Sequence, residues 1–203
     1  ALSYADLTAA EALRALLPPG LDPPASFETV GHVAHLNLRA ELLPHRRVIG
    51  AVLLDKNPRL RTVVTKTGDV GGEFRVYPME ILAGDGGTVT EVIQHGVRFR
   101  LDVATVYWNS RLEAEHRRLL ERWLRPGEVL LDAMAGVGPF AVPAARAGHA
   151  VFANDLNPDS HRWLLENVRA NRVAGLVSAH CEDARAFLAA AAGGRLTPAP
   201  VPA

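Results

Sequence analysis

VLLDAMAGVGPFAVPAARAGHAVFANDLN, residues 129–157, is the stretch that decides the fold of this chain. Its first apolar run ends at Asp132 and passes into a loop of small residues that contains Gly136 and Gly138. A short apolar run that leads into a glycine loop is typical of a buried parallel strand. Glycine allows the backbone to approach a ligand that a Cβ atom would exclude. We therefore expect a ligand to lie against this loop.

The rest of the stretch completes a supersecondary unit. Residues 140–147 are rich in alanine and predict a helix, with Pro139 at a position that the first helical turn permits. A second apolar run, 150–153, then ends at Asn154 and Asp155. The order strand, glycine loop, helix, strand and acid predicts the first half of a nucleotide-binding βαβ unit. In such a unit the final acid accepts hydrogen bonds from a ribose diol.

The loop spacing fits two classes of nucleotide. Residues 136–138 followed by Ala141 match the variant dinucleotide fingerprint that ends in alanine, so an NAD-linked dehydrogenase stays an alternative. Two residues favour S-adenosylmethionine, which carries no phosphate. Asp132 would repel a pyrophosphate but would attract the amino group of an amino-acid tail. Pro139 removes one of the N–H donors that a phosphate would use at a helix start.

Motifs on both sides of the loop carry a resemblance to a known family. They are VYWNSRLEAEH at 106–116, DAMAGVGPF at 132–140, NDLNP at 154–158 and, upstream, GHVAHLNLR at 31–39, LLDKNP at 53–58 and EFR at 73–75. In this order they resemble the tRNA (guanine-N1)-methyltransferases of archaeal and eukaryotic type, which modify the guanine just 3′ of the anticodon. The resemblance runs from about Ser3 to about Phe187.

The resemblance implies a fold, a cofactor and a reaction. The fold would be α/β, with a small α+β RNA-contacting domain followed by a partial Rossmann-like sheet of a class I methyltransferase. The reaction would transfer a methyl group from S-adenosylmethionine to N1 of guanine 37 in tRNA. The family resemblance also places the protein in the cytoplasm, with the nucleus and the mitochondrial matrix as further compartments, and we expect a monomer.

The resemblance also implies which residues form the site. Guanine N1 carries a proton at neutral pH, and a carboxylate with a raised pKa can remove it while an arginine stabilises the charge on the base. The motifs place Glu115 as this base, with Arg75 and Arg111 as electrostatic partners. Arg111 lies one helical turn from Glu115, close enough to pair with it. The implied cofactor-binding residues are His116, Asp132, Gly136, Gly138, Asp155, Leu156, Asp183 and Ala184.

Composition narrows the function classes only a little. The 203 residues have a formal net charge of zero, so the overall charge does not indicate a nucleic-acid partner. The single cysteine, Cys181, excludes a disulfide within the chain and fits a reducing compartment. No run of apolar residues is long enough for a membrane span, and no secretory signal is visible. His32 and His35 have no third ligand at suitable spacing, so we expect no metal site.

The distribution of charge is more informative than its sum. Between residues 39 and 75 there are eight Lys or Arg against four Asp or Glu, a local charge of +4. Clustered cations beside sheet edges suit an RNA backbone, although a solvated surface has the same composition. The predicted organisation is an N-terminal helix and linker at 1–25, an α+β tRNA-contacting domain at 26–105 and a partial methyltransferase domain at 106–188.

The last part of the sequence departs from the family pattern. A third apolar run, 176–179, predicts a strand, and Asp183 beyond it either contacts an adenine amine or caps a helix that begins at Ala184. Residues 189–203 are rich in Ala, Gly and Pro and predict a flexible tail. The family continues with further strands that this sequence does not show. A non-catalytic RNA-binding fragment of the family is therefore a second alternative.

Overall fold

The computed structural model describes residues 3–68, 71–74 and 76–196. The chain forms two compact units, Ala1–Thr90 and Glu91–Ala203. The division falls earlier than the boundary predicted at residue 105, because the strands that precede that boundary have most of their residues in the second unit.

The first unit is a small sheet covered by helices on one face. Its elements are α1 (Ala9–Leu16), β1 (Glu28–Val30), β2 (Val33–Leu36), a 3₁₀ turn (Ala40–His45), α2 (Arg46–Lys56), β3 (Thr62–Lys66) and β4 (Met79–Gly84). The strand order is β1-β2-β3-β4, and only the β2–β3 pair is parallel. Helix α2 is the crossover that a parallel pair requires.

Apolar residues of both helices and of the sheet form the core of the first unit. Helix α1 begins in a capping box, in which Thr8 and Glu11 each accept a hydrogen bond from the other's backbone N–H. The buried cluster is Ala12, Leu13, Leu17, Ala34, Leu36, Leu42, Ile49, Val52, Leu53, Leu60, Val63 and Leu82. These residues fix α1 and α2 against β2, β3 and β4, and the ends of the parallel strands remain accessible.

The second unit contains a hairpin, a helix and a parallel sheet. The division between the units falls within the first strand of the hairpin, β5 (Val89–Gln94), which is followed by β6 (Val97–Asp102). The remaining elements are α3 (Glu113–Trp123), β7 (Leu130–Asp132), α4 (Ala141–Arg146), β8 (Val151–Asn154), α5 (Pro158–Ala170), β9 (Val177–His180) and α6 (Ala184–Ala192). A 3₁₀ turn, Ser110–Leu112, leads into α3.

The sheet of the second unit has the order β7-β8-β9, and both pairs are parallel. Helix α5 starts with Asn157, whose side chain accepts the Asp159 backbone N–H, and with Pro158 in the first turn. Its residues Trp163, Leu164 and Val168 are buried. Alternating strands and helices of this kind make a half-sheet of the doubly wound type, as the sequence predicted.

The C-terminal region differs from the prediction at one point. Residues 189–192 were expected in a flexible tail but form the last turn of α6, because alanine favours a helix when nothing interrupts it. The predicted tail residues 197–203 lie outside the described residues. Within the part of the chain that the structure describes, no helix has the length and apolar character needed to cross a bilayer.

Candidate active site

The three parallel strands of the second unit end at one edge of their sheet. β7 ends at Asp132, β8 at Asn154 and β9 at His180. The register pairs Asp132 with Ala153 and Asn154 with His180, so the three ends are nearly level. Asp155 follows directly after β8, and its charge acts on Asp132. The two predicted carboxylates therefore share the edge where an α/β sheet binds its ligand.

Asp132 lies in an environment that opposes its charge. Its Oδ2 atom is buried and has no hydrogen-bond partner among the described residues. Burial raises the pKa of Asp132 from 3.8 to about 6, and the charge of Asp155 adds to this effect. A hydrogen bond from the Met134 backbone N–H acts in the opposite direction. A positive charge close to this carboxylate would compensate for both the burial and the repulsion by Asp155.

Asp155 organises the glycine loop. Its Oδ2 accepts a hydrogen bond from the Gly136 backbone N–H at 2.7 Å, and its Oδ1 accepts one from the Asn157 N–H at 2.9 Å. Each carboxylate oxygen retains a lone pair for a further donor. At Gly136, with φ of +54°, an added Cβ would meet no atom within 4 Å, whereas at Gly138 it would lie 2.8 Å from Leu164 Cδ1. Gly138 is therefore required by packing, and Gly136 faces open space.

Asp183 lies three residues after the end of β9 and caps α6. Its Oδ1 accepts the Arg185 backbone N–H at 2.8 Å, and the carboxylate also pairs with the Arg185 guanidinium. These bonds lower the pKa of Asp183 to about 2. Ala184 is the first residue of the helix, and Leu156, 39% exposed, follows Asp155 on the neighbouring strand end. The cap fixes the position of Asp183, and its contact with an adenine stays a prediction.

His116 faces inward from α3, as its place on the apolar side of that helix predicted. Its ring packs edge-on against Phe140 with the centroids 4.7 Å apart. Its Nδ1 is buried without a partner among the described residues, and burial lowers the pKa of the imidazole. The ring borders a cavity of about 370 Å³. The cavity is lined by Gln94, His95, Val97, Phe99, Glu113, His116, Arg117, Leu120, Glu121, Pro139, Pro143, Arg146 and Ala147.

The three residues expected to act on the base have different outcomes. Glu115 forms a two-bond ion pair with Arg118, with both N–O distances 2.7 Å. This pair lowers the pKa of Glu115, so the expectation of a raised pKa was wrong. Arg111 lies in the 3₁₀ turn before α3, and its backbone N–H donates to the Asn109 side chain. Arg75 lies outside the described residues.

A buried asparagine that the sequence did not single out joins the strand ends. Asn154 is fully buried, and its amide group donates to the carbonyls of Ala133 and Glu182 at 3.1 and 2.9 Å. Its Oδ1 accepts the Glu182 backbone N–H at 3.0 Å. It therefore holds together the segments that follow β7 and β9. The only signal in the sequence was a polar residue at the end of an apolar run.

These features define a class of protein. A parallel sheet with level strand ends, a glycine loop after the first strand and an acid after the second make a Rossmann-like nucleotide-binding domain. A family model described as "TRM5/TYW2 methyltransferase domain" matches residues 90–197, and one described as "TYW2 N-terminal domain" matches residues 9–88. The chain belongs to the TRM5/TYW2 methyltransferase family.

Curated relatives are named tRNA (guanine(37)-N(1))-methyltransferase. The protein of Phytophthora infestans is 52% identical over 93% of this chain and 46% of its own length. That of Schizosaccharomyces pombe is 48% identical over 92% of this chain and 43% of its own length. The human protein is 44% identical over 92% of this chain and 36% of its own length. The resemblance found in the motifs is confirmed, and the chain spans less than half of these relatives.

Solved structures confirm the predicted fold class. The crystal structure of Trm5b from Pyrococcus abyssi has a TM-score of 0.71 and 34% identity, over 80% of this chain and 48% of that one. A structure described as the complex of aTrm5 and tRNALeu has a TM-score of 0.78 and 29% identity, over 88% of this chain and 54% of that one. A small α+β domain followed by a partial Rossmann-like sheet is therefore the architecture of this chain.

Proposed function

We propose that this chain carries the cofactor site and part of the RNA-binding surface of a methyltransferase that modifies N1 of guanine 37 in tRNA. Membership of the family and the names of curated relatives at 44–52% identity support this function. A solved relative described as bound to tRNALeu supports tRNA as the partner. The observation that carries the proposal is the buried, unpartnered carboxylate oxygen of Asp132 at the edge of the sheet.

The residues at this edge fit S-adenosylmethionine. Asp132 lacks a counter-charge, which the amino group of the cofactor would provide. The second carboxylate, Asp155, can accept ribose hydroxyls while it holds the glycine loop, and the space over Gly136 admits a ligand. When bound, the cofactor supplies an activated methyl group. A pyrophosphate fits less well, because its charge would add to the repulsion between Asp132 and Asp155.

The remaining cofactor contacts follow from the family motifs. Leu156, Asp183 and Ala184 surround the tips of β8 and β9 and are proposed to bind the adenine. His116 is proposed to border the cofactor, with Phe140 behind it at the end of the glycine loop. Among the described residues, no three His, Cys, Asp or Glu side chains come together as metal ligands would. The proposed reaction uses acid–base groups of the chain.

The proposed base is Glu115. Methyl transfer to guanine N1 requires removal of the N1 proton, and a carboxylate can accept this proton only when it is ionised. Arg118 keeps Glu115 ionised but also occupies both of its oxygens. We propose that the pair opens when RNA binds, because a phosphate or a base oxygen can take over the guanidinium. Arg111 and Arg75 are proposed to stabilise the negative charge on the guanine oxygen.

The proposed RNA surface of the first unit is less positive than the sequence suggested. Arg46 and Arg47 both pair with Glu80 on β4, and Arg61 pairs with Asp85. These two acids lie beyond the basic segment 39–75 and reduce its local charge from +4 to +2. A polar cavity of about 520 Å³ at the ends of β2 and β3 remains a candidate for backbone contacts. It is lined by Asn37, Leu38, Ala40, Leu43, Arg46, Thr65, Lys66, Thr67, Gly68 and Glu80.

A methylation assay tests the proposal. The chain is incubated with labelled S-adenosylmethionine and a tRNA transcript that carries guanine at position 37, with an adenine-37 transcript as the matched control. Transfer to the guanine transcript alone supports the function, and transfer to neither argues against activity of this chain. Calorimetry with S-adenosylmethionine and with NAD then separates the classes of ligand. Tight binding of NAD alone would favour the dehydrogenase alternative.

RNA binding without transfer is the second candidate function. One observation favours it: the described parallel sheet has three strands. Filter binding of the same two transcripts at increasing salt measures this activity without any cofactor. This candidate would be supported if binding weakens steeply with salt, is equally strong for the guanine-37 and adenine-37 transcripts, and is accompanied by no methyl transfer.

A further inference from the structure

Asn167 in α5 and Asn171, which caps the C-terminus of α5, bind strand β6 in the way a neighbouring strand would. Asn171 Oδ1 accepts the Arg98 backbone N–H at 3.0 Å, and its amide group donates to the Arg98 carbonyl at 2.6 Å. Four residues earlier, Asn167 repeats the pattern on Arg100, with distances of 2.7 and 3.0 Å. Spacing of four residues puts both side chains on one face of the helix. The pair attaches the hairpin to α5.

Asn167 makes one further bond that Asn171 does not share. Its Nδ2 also donates to the Val137 carbonyl at 3.0 Å. Val137 stands between the two glycines of the loop, and its side chain is fully buried. Asn167 is itself fully buried, and both of its Nδ2 hydrogens are used. A single side chain therefore links strand β6, helix α5 and the glycine loop.

The loop depends on such bonds because its glycines restrict the backbone little. Three successive residues are each held by a hydrogen bond from outside the loop. Ala135 N–H donates to the Asn154 carbonyl at 2.7 Å, Gly136 N–H donates to Asp155, and the Val137 carbonyl accepts from Asn167. The first two bonds come from the end of β8, and the third comes from the last turn of α5. Without the third, the loop is held on one side only.

We propose that Asn167 is a positioning residue for the cofactor, acting through the Val137 carbonyl on the loop that Asp155 closes. The proposal rests on the proposed function, because it assumes that this loop binds S-adenosylmethionine. Asn167 itself is buried below the loop and donates nothing to a ligand. Its contribution is to reduce the number of loop conformations from which binding must select.

The matched pair Asn167→Ala and Asn171→Ala tests this role. Each variant removes the strand-like bonds to β6, but only Asn167→Ala removes the bond to the loop. Affinity for S-adenosylmethionine is measured by calorimetry well below the unfolding temperature of both variants. We expect Asn167→Ala to bind about tenfold more weakly, the factor that corresponds to one hydrogen bond. Asn171→Ala should stay within about twofold of the original chain.

Amide hydrogen exchange provides a second readout that needs no cofactor. The Gly138 N–H donates within the loop to the Ala135 carbonyl. Its exchange rate should increase in Asn167→Ala and stay unchanged in Asn171→Ala. The Arg98 and Arg100 amides report the structural loss in each variant. If Asn167→Ala does not fold, Asn167→Ser leaves a smaller cavity, and its single hydroxyl hydrogen cannot replace both amide hydrogens that bind the Arg100 and Val137 carbonyls.

The two readouts separate the two possible failures. If the original chain does not bind S-adenosylmethionine, the proposed function fails, and Gly138 exchange still decides whether Asn167 holds the loop. If the original chain binds and both variants lose affinity equally, or Gly138 exchange is the same in both, the positioning role is overturned.

Discussion

Replacing Asp132 by Asn should stabilise the protein without ligand and weaken its binding of S-adenosylmethionine. Asn has nearly the shape of Asp but carries no charge, so the substitution removes the buried, unpartnered carboxylate. The pKa of Asp132 is raised from 3.8 to about 6. At 1.36 kcal/mol for each pH unit, ionisation of this group costs the folded state about 3 kcal/mol at most.

The pH dependence gives the sign of this effect. The folded state binds the Asp132 proton more tightly than the unfolded state, so stability falls as pH rises from about 4 to about 6 and stays low above that. Asp132→Asn should therefore raise the midpoint of thermal unfolding at pH 7.5 by up to roughly 6–12 °C. Below pH 4 the variant and the original chain should unfold at the same temperature.

Cofactor binding should change in the opposite direction. The amino group of S-adenosylmethionine needs the ionised carboxylate, so the affinity of the original chain should fall about tenfold between pH 7 and pH 5. In Asp132→Asn the affinity should be low and independent of pH. Calorimetry over this range measures both effects, and scanning calorimetry measures the stability.

A matched control and a refuting result complete the test. Asp183→Asn changes an acid whose pKa is already lowered to about 2 by Arg185, so removing its charge should give no gain in stability. If Asp132→Asn is no more stable than the original chain at pH 7.5, the buried charge does not destabilise the fold. If the variant binds S-adenosylmethionine with unchanged affinity and unchanged pH dependence, Asp132 does not bind the amino group of the cofactor.

Three further predictions follow from the same site. Arg118→Met should raise the pKa of Glu115 and move the acid limb of the methylation pH–rate profile to higher pH; an unmoved limb would remove Glu115 as the base. In chemical denaturation, Gly136→Ala should lower the free energy of unfolding by only about 1 kcal/mol, the cost of a left-handed backbone conformation for alanine. Gly138→Ala should lower the free energy of unfolding by roughly 1–3 kcal/mol more, because its Cβ would overpack against Leu164. Equal losses in the two variants would contradict this difference in packing. Burial and the nearby Asp155 carboxylate raise the pKa of the Cys181 thiol, so this thiol should react slowly with a disulfide reagent at pH 7. Bound S-adenosylmethionine should slow the reaction further. If the cofactor does not protect the thiol, it binds elsewhere.

The positions of the strand ends could be predicted from the sequence because they depend on local patterns. An apolar run followed by Asp132 and another followed by Asp155 each indicated a buried strand with an acid at its tip. Parallel pairing then brings the tips to one edge whatever the detailed register. The observed register makes the ends level and confirms that the two carboxylates lie together.

The ionisation state of Glu115 could not be predicted in the same way. The sequence places Arg111 four residues before it and Arg118 three residues after it, and either spacing allows an ion pair on a helix. The side-chain conformation makes the pair with Arg118, and the two hydrogen bonds lower the pKa of Glu115. The family resemblance identified Glu115 but could not predict the ion pair that lowers its pKa.

The net charge around the basic segment 39–75 also depends on acids that only the fold brings close to it. Glu80 and Asp85 pair with arginines that lie 24 to 34 positions earlier in the sequence, as the residue numbers show. A count over a window of the sequence could not include them. The buried asparagines were missed for a related reason, because Asn154 and Asn167 bind backbone groups that only the folded chain brings to them.

The charges at the edge of the parallel sheet give a physical reason for preferring a cationic ligand. Asp183 shows how an acid at a strand end is stabilised, by a helix N–H and by Arg185. Asp132, the last residue of β7, is instead buried beside a second carboxylate and has an oxygen without a partner among the described residues. Such an arrangement lowers the stability of the fold, and asparagine would fill the same volume without the charge. A ligand that brings a positive charge to Asp132 compensates for this loss, and one that brings two phosphates increases it.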